Sequence, residues 1–158
     1  MALHPSLFDL PGWNKQPDMF ERLGQWAVAL ECPLLVVHPP RADDLAKRTA
    51  EFDRGLVALK ATTEEAVRIT VENVAVFYPK DRQHPYVWPE KVATFARARD
   101  LTMTFDTTHV ASVGLPLMEA YEAVAGIVEH VHLSDFRQPP HSFDRPSLHT
   151  YLKHHQLP

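Results

Sequence analysis

The residues in this chain best suited to chemistry are carboxylates and imidazoles that recur where apolar segments end. Leu101 to Ala111 reads LTMTFDTTHVA, with Asp106 closing an alternating segment and His109 three residues later. Glu72 closes RITVE, His132 closes IVEHVH with Asp135 just beyond it, His38 follows LLVV, and His4 follows Ala2-Leu3. Carboxylates and imidazoles together suit two tasks, holding a hard-to-borderline divalent cation and moving protons. Taken singly, each has a plain structural explanation. Asp106 to His109 reads as a solvated turn, His38-Pro39 as a turn and Glu72-Asn73 as a loop cap. The functional reading rests on several segments ending the same way.

The segments that must position these groups alternate in type. Leu34–Val37 is a short all-apolar run, as a strand covered on both faces requires. Arg68–Val74, Leu101–Asp106 and Ile127–Leu133 are rich in β-branched or apolar residues and read as further strands, with a frayed strand near Leu3. Between them, residues 17–30, 42–60, 89–99 and 116–125 place apolar side chains at helical spacing or open on a proline. The second of these continues toward Ala66 with a break expected near Ala61-Thr62-Thr63. Residues 75–89 and 136–146 read as loops and Ser147–His155 as a last amphipathic helix. This alternation predicts parallel (β/α) units forming an incomplete barrel, a single partial domain over residues 1–158. His4, His38, Glu72 and Asp106 each lie 34 residues after the last, and His132 follows 26 later. In a parallel sheet all strand C-termini lie on one side, so these side chains are expected to converge there.

Composition limits the partners. The 158 residues are 45% hydrophobic with net charge -4, which describes a globular domain and argues against a nucleic-acid surface. One cysteine, Cys32, excludes an internal disulfide framework and fits a reducing cytoplasm. The start, MALHPSLFDLPGW, has no basic region followed by an apolar run and does not read as a signal peptide. No apolar run is long enough to span a membrane.

The segments V-E-N, F-D-x-x-H and H-V-H-L-x-D on successive strands resemble the xylose isomerase-like TIM-barrel superfamily, and L-H-P and V-V-H-P are similar to its earlier strands. That group includes sugar isomerases, ketose epimerases and zinc-dependent abasic-site endonucleases. The resemblance implies Glu72, Asp106 and His132 as metal ligands, with Mn, Co, Mg or Zn as the ion. It implies Glu72 and His109 as catalytic groups, and His38, His109 and Asp135 as groups binding a small sugar or sugar phosphate. In the endonuclease-like alternative, His4 and His38 hold additional metal. His141 stands where the family has a histidine, without the glycines that follow it there.

Relative to that pattern, the chain lacks a first strand and the last strand, whose glutamate completes the metal site. Three readings therefore stay open. One is a metal-dependent isomerase or epimerase acting by proton abstraction next to a carbonyl. The second is a phosphodiesterase acting at abasic sites. The third is a non-catalytic barrel fragment that self-associates through open sheet edges.

Overall fold

A computed structural model describes residues 2–4, 18–40, 45–64 and 66–134. The strands are β1 (Ala2–Leu3), β2 (Leu34–Val37), β3 (Arg68–Glu72), β4 (Thr102–Asp106) and β5 (Val128–His132). The helices are α1 (Met19–Ala29), α2 (Leu45–Thr63), α3 (Pro89–Arg97), α4 (Thr107–Val113) and α5 (Leu117–Glu122). The five strands are parallel, follow one another in chain order in a single sheet, and alternate with the helices. This is the incomplete α/β barrel that the alternation predicts. Asp135, the loop over 136–146 and the helix expected over 147–155 lie outside the described residues.

The chain divides into two compact units, Met1–Val71 and Glu72–Pro158, with the division inside β3. In the first unit β2 is buried at all four positions, which explains its unbroken apolar sequence. It pairs with β1 at Leu3↔Leu35 and with β3 from Leu34↔Arg68 to Val37↔Val71. Helix α1 buries Phe20, Leu23, Gly24 and Ala27, and α2 buries Phe52, Leu56, Leu59 and Thr63. The Phe20 and Phe52 rings meet edge to face, 5.5 Å apart at 89°. The helix ends at Thr63, within the stretch where a break is expected, and does not continue toward Ala66. The hydroxyls of Thr62 and Thr63 donate back to the carbonyls of Ala58 and Leu59 in that last turn.

In the second unit, Pro89 occupies the first turn of α3, where its missing N–H costs nothing. That helix buries Val92, Ala93, Phe95 and Ala96, while β4 buries Met103 and Phe105. Tyr86 packs on Phe95 at 4.7 Å, and Phe105 on Tyr121 at 5.5 Å. The loop between β3 and α3 contains two short 3₁₀ turns, Pro79–Gln83 and Pro85–Val87. The helix expected over 116–125 is shorter, Leu117–Glu122, and a 3₁₀ turn at Ala125–Ile127 leads into β5.

Two differences from the sequence reading matter for the site. His109 is not on a turn: Thr107–Val113 is a helix that begins directly at the end of β4. Asp106 caps it, its Oδ1 accepting the His109 backbone N–H at 2.8 Å, so one residue ends the strand and starts the helix. The β4–β5 pairing also shifts by one residue. Met103 faces Val128, but Thr104 faces His130, leaving Glu129 as the extra residue of a bulge.

The α1–α2 packing gives the first prediction. A Cβ on Gly55 would lie 2.2 Å from Cδ2 of Phe20, whose ring is buried beside Phe52. Gly55→Ala is expected to destabilise the fold by about 1–3 kcal/mol, because a packed ring must move to admit one methyl group. Urea unfolding measures this, and an unchanged midpoint would refute it.

Candidate metal and proton-transfer site

Four of the residues singled out in the sequence come together in the second unit, at the C-terminal ends of β3, β4 and β5. Glu72 and Asp106 are the last residues of their strands and are fully buried. His132 ends β5, and the bulge at Glu129 sets it level with Asp106. His109, one turn into α4, is also buried. His132 Nδ1–H donates to Glu72 Oε1 at 2.6 Å and lies 3.7 Å from Asp106 Oδ2. His109 Nδ1 lies 3.8 Å from Glu72 Oε1 and 3.9 Å from Asp106 Oδ1.

His4 and His38 meet in the first unit, with their Nε2 atoms 3.4 Å apart and ring centroids 4.9 Å apart. His38 is buried and His4 exposed. Asp135 and His141 lie outside the described residues.

Hydrogen bonds fix the proton positions. A carbonyl oxygen can only accept, so the 2.7 Å contact between His109 Nδ1 and the Asn73 carbonyl makes Nδ1 the protonated nitrogen. The ring nitrogen with the lone pair in neutral His109 is then Nε2. An ionised Glu72 also only accepts, and in that state it takes the proton on Nδ1 of His132.

The charges are mutually dependent. Burial pushes the Asp106 carboxyl above its ordinary 3.8, and nearby Glu72 adds to the rise, against the lowering pull of His109 and its backbone N–H. The hydrogen bond to Glu72 pushes His132 above its ordinary 6.5, against the effect of burial.

The two Asp106 oxygens are placed differently. Asp106 Oδ1 is used in the helix cap, while Oδ2 is buried with no hydrogen-bond partner among the described residues. A buried carboxylate oxygen left in this way is costly unless a cation or proton meets it. The donor set of two carboxylates and imidazole suits a divalent ion. Glu72, Asp106 and His109 each place one potential ligand atom within 4.8 Å of the others. His132 Nδ1 lies 2.6 Å and 3.7 Å from the same two carboxylates, so Glu72 and Asp106 with either imidazole fit a metal.

Sequence reasoning missed the part played by Asn73. Its side-chain amide donates to the Asp106 carbonyl at 3.1 Å and accepts from the Asp106 N–H at 2.9 Å. The V-E-N motif held the signal, but Glu72 drew the functional reading. Ser112 was missed as well. Its hydroxyl donates to the His109 carbonyl at 2.6 Å and accepts from the Val76 N–H at 2.9 Å, tying α4 to the loop after β3.

Comparison with known proteins supports the fold. The crystal structure of a xylose isomerase domain protein from Planctomyces limnophilus matches 87% of this chain with a TM-score of 0.62 and 15% sequence identity. This chain spans about half of that protein, 49% of its length. No protein-family model and no curated protein matches the sequence. The chain thus has the xylose isomerase-like TIM-barrel fold, as a partial barrel. No helix among the described residues is long and apolar enough to cross a membrane.

The raised ionisations predict how the metal-free protein responds to pH. A folded-state pKa above the unfolded one gives stability that is complete below the unfolded value and is lost as pH rises through the folded value. For His132 that loss begins as pH rises past 6.5, and for Asp106 as it rises past 3.8. The melting temperature in chelator is therefore expected to fall as pH rises from below 6.5, and His132→Gln is expected to flatten the decline. A melting temperature that climbs over that range in the wild type would contradict the assignment.

Proposed function

We propose that this chain carries a metal-dependent site for proton abstraction next to the carbonyl of a sugar or sugar phosphate, the chemistry of isomerases and epimerases. The observation that carries the reading is the convergence of buried Glu72, Asp106 and His109 with half-buried His132, with Asp106 Oδ2 left without a hydrogen-bond partner among the described residues. Glu72, Asp106 and His132 are the ligands in this reading. When bound, a divalent ion supplies polarisation of the sugar's carbonyl and hydroxyl oxygens, which makes the neighbouring C–H more acidic.

The chain's own groups do the rest. Glu72 is a carboxylate within 2.6 Å of an imidazole N–H, so it is placed both to bind and to take a proton. His132 would hold the ion through Nδ1, the nitrogen that faces Glu72, with its ring proton then on Nε2. His109 keeps its Nδ1 proton on the Asn73 carbonyl and presents Nε2, the nitrogen that can accept a proton from a substrate hydroxyl or water and return it.

A second reading has one observation in its favour. The close pair of His4 and His38 is what a further zinc site of an abasic-site phosphodiesterase would use. The net charge of -4 weighs against a DNA substrate.

Titration calorimetry with Mn, Co and Zn tests the site directly. Wild-type protein is expected to bind one ion exchangeably, Asp106→Ala to abolish binding and Glu72→Ala to weaken it strongly. Binding unchanged in Asp106→Ala would place the metal elsewhere. Incubation of metal-loaded protein with free aldoses and ketoses in D2O tests the chemistry. Deuterium is expected to enter at the carbon next to the carbonyl, and His109→Ala to lower that rate by about 100-fold, the scale of a general acid–base group. Nicking of abasic DNA without exchange into any sugar would select the second reading.

A further inference from the structure

The end of β3 contains a device that the proposed chemistry does not itself account for. Asn73 is fully buried, and its side-chain amide makes two hydrogen bonds to the backbone of one residue of β4, Asp106. An amide that donates with its N–H and accepts with its C=O reproduces what a backbone peptide offers to a neighbouring strand. The Asn73 side chain thus adds one more rung between the ends of β3 and β4, after regular pairing has stopped. Because the side chain makes this rung, the Asn73 backbone is released from the ladder. Its carbonyl instead accepts the Nδ1 proton of His109 at 2.7 Å. Its neighbour's N–H, that of Val74, is taken by the Tyr86 carbonyl at 3.0 Å.

We propose that Asn73 is the positioning residue of this site: its side chain fixes the Asp106 backbone while its carbonyl sets the ring tautomer of His109. One residue then controls the direction of a ligand carboxylate and the identity of the proton-accepting nitrogen. The amide side chain is required because only a group with both a donor and an acceptor satisfies the buried N–H and the buried carbonyl together. The substitution Asn73→Asp would keep an acceptor for the Asp106 N–H but turn an oxygen toward the Asp106 carbonyl, with no proton between them. The substitution Asn73→Ala would leave both backbone groups unsatisfied. Release of the clamp lets the Asn73 peptide rotate back toward the ladder, and His109 then loses the acceptor that holds its proton on Nδ1.

The consequence for metal binding rests on the ligand reading given above, whereas the tautomer does not. Long-range ¹H–¹⁵N correlation spectra of metal-free protein with ¹⁵N-labelled histidine read the two ring nitrogens of His109 separately. The wild type is expected to show Nδ1 protonated and Nε2 bare. In Asn73→Asp and Asn73→Ala the His109 nitrogens are expected to shift toward each other as the two tautomers mix. Affinity for Mn measured by calorimetry is expected to fall by about 10–100-fold in both variants, the usual scale for a group that orients a ligand. Asn73→Gln moves the amide by one methylene and is not expected to restore either property, although it keeps the polarity. The proposal is overturned if His109 keeps the Nδ1–H form in Asn73→Asp and Asn73→Ala. It is also overturned, with no variant needed, if wild-type His109 carries its proton on Nε2. Absence of Mn binding to a wild type that shows the expected tautomer would refute the metal reading and leave the tautomer control of Asn73 standing.

Discussion

Two carboxylates at the ends of successive strands, Glu72 and Asp106, have been taken out of water entirely. Isolated burial of even one ionised carboxylate costs several kcal/mol. Almost every polar feature of the second unit can be understood as an answer to that cost. Glu72 Oε1 receives the Nδ1–H of His132, and Asp106 Oδ1 receives the first turn of α4. A helix N-terminus stabilises negative charge, so capping α4 with Asp106 serves the helix and the carboxylate together. Asp106 Oδ2 accepts no hydrogen bond among the described residues and faces His132 Nδ1 at 3.7 Å, a position that suits a cation.

The scaffold around these groups resists rearrangement at several points. The bulge at Glu129 puts His132 opposite Asp106; with the register of Met103↔Val128 continued, Asp106 would have faced Val131. The loop after β3 is tied down by Asp81, whose Oδ2 accepts the backbone N–H groups of Phe77 and Tyr78 at 2.9 and 2.8 Å. Arg82 extends to the Val113 carbonyl at 2.9 Å, close to the end of α4. Gly114 closes that helix with φ of 82°, a left-handed conformation that suits glycine. Loop and helix are thereby cross-linked just beyond His109, at Ser112 and Val113. A proton-transfer group must be held within a fraction of an ångström of its target, and such ties serve the role proposed for His109.

The resemblance in fold at 15% identity shows how little of the sequence this architecture demands. Most positions need only be apolar and of suitable size, as in β2, where Leu34–Val37 are all buried. The polar residues at strand ends are different, because each buried charge or amide requires a particular partner. A short list of residues therefore carried the resemblance, and overall similarity did not.

The parallel sheet, the order of its elements and the clustering of Glu72, Asp106 and His132 were legible in the chain itself. Strand and helix periodicities alternate, and parallel strands must end on one side, so polar residues at successive strand ends had to meet. The sequence also marked α3 by Pro89 and the buried β2 by its apolar run. It did not reveal α4, since Asp106 to Ala111 fits a turn as well as a capped helix until the position of Asp106 on β4 is known. It gave no sign of the bulge at Glu129, because a one-residue register shift depends on pairing with another strand and on no local preference. Nor could it assign the ring protons of His109 and His132. Those follow from what each nitrogen faces, the Asn73 carbonyl in one case and the Glu72 carboxylate in the other, and both contacts join residues far apart in the chain. Residue types set which chemistry was available, whereas long-range hydrogen bonds decided which atom holds each proton.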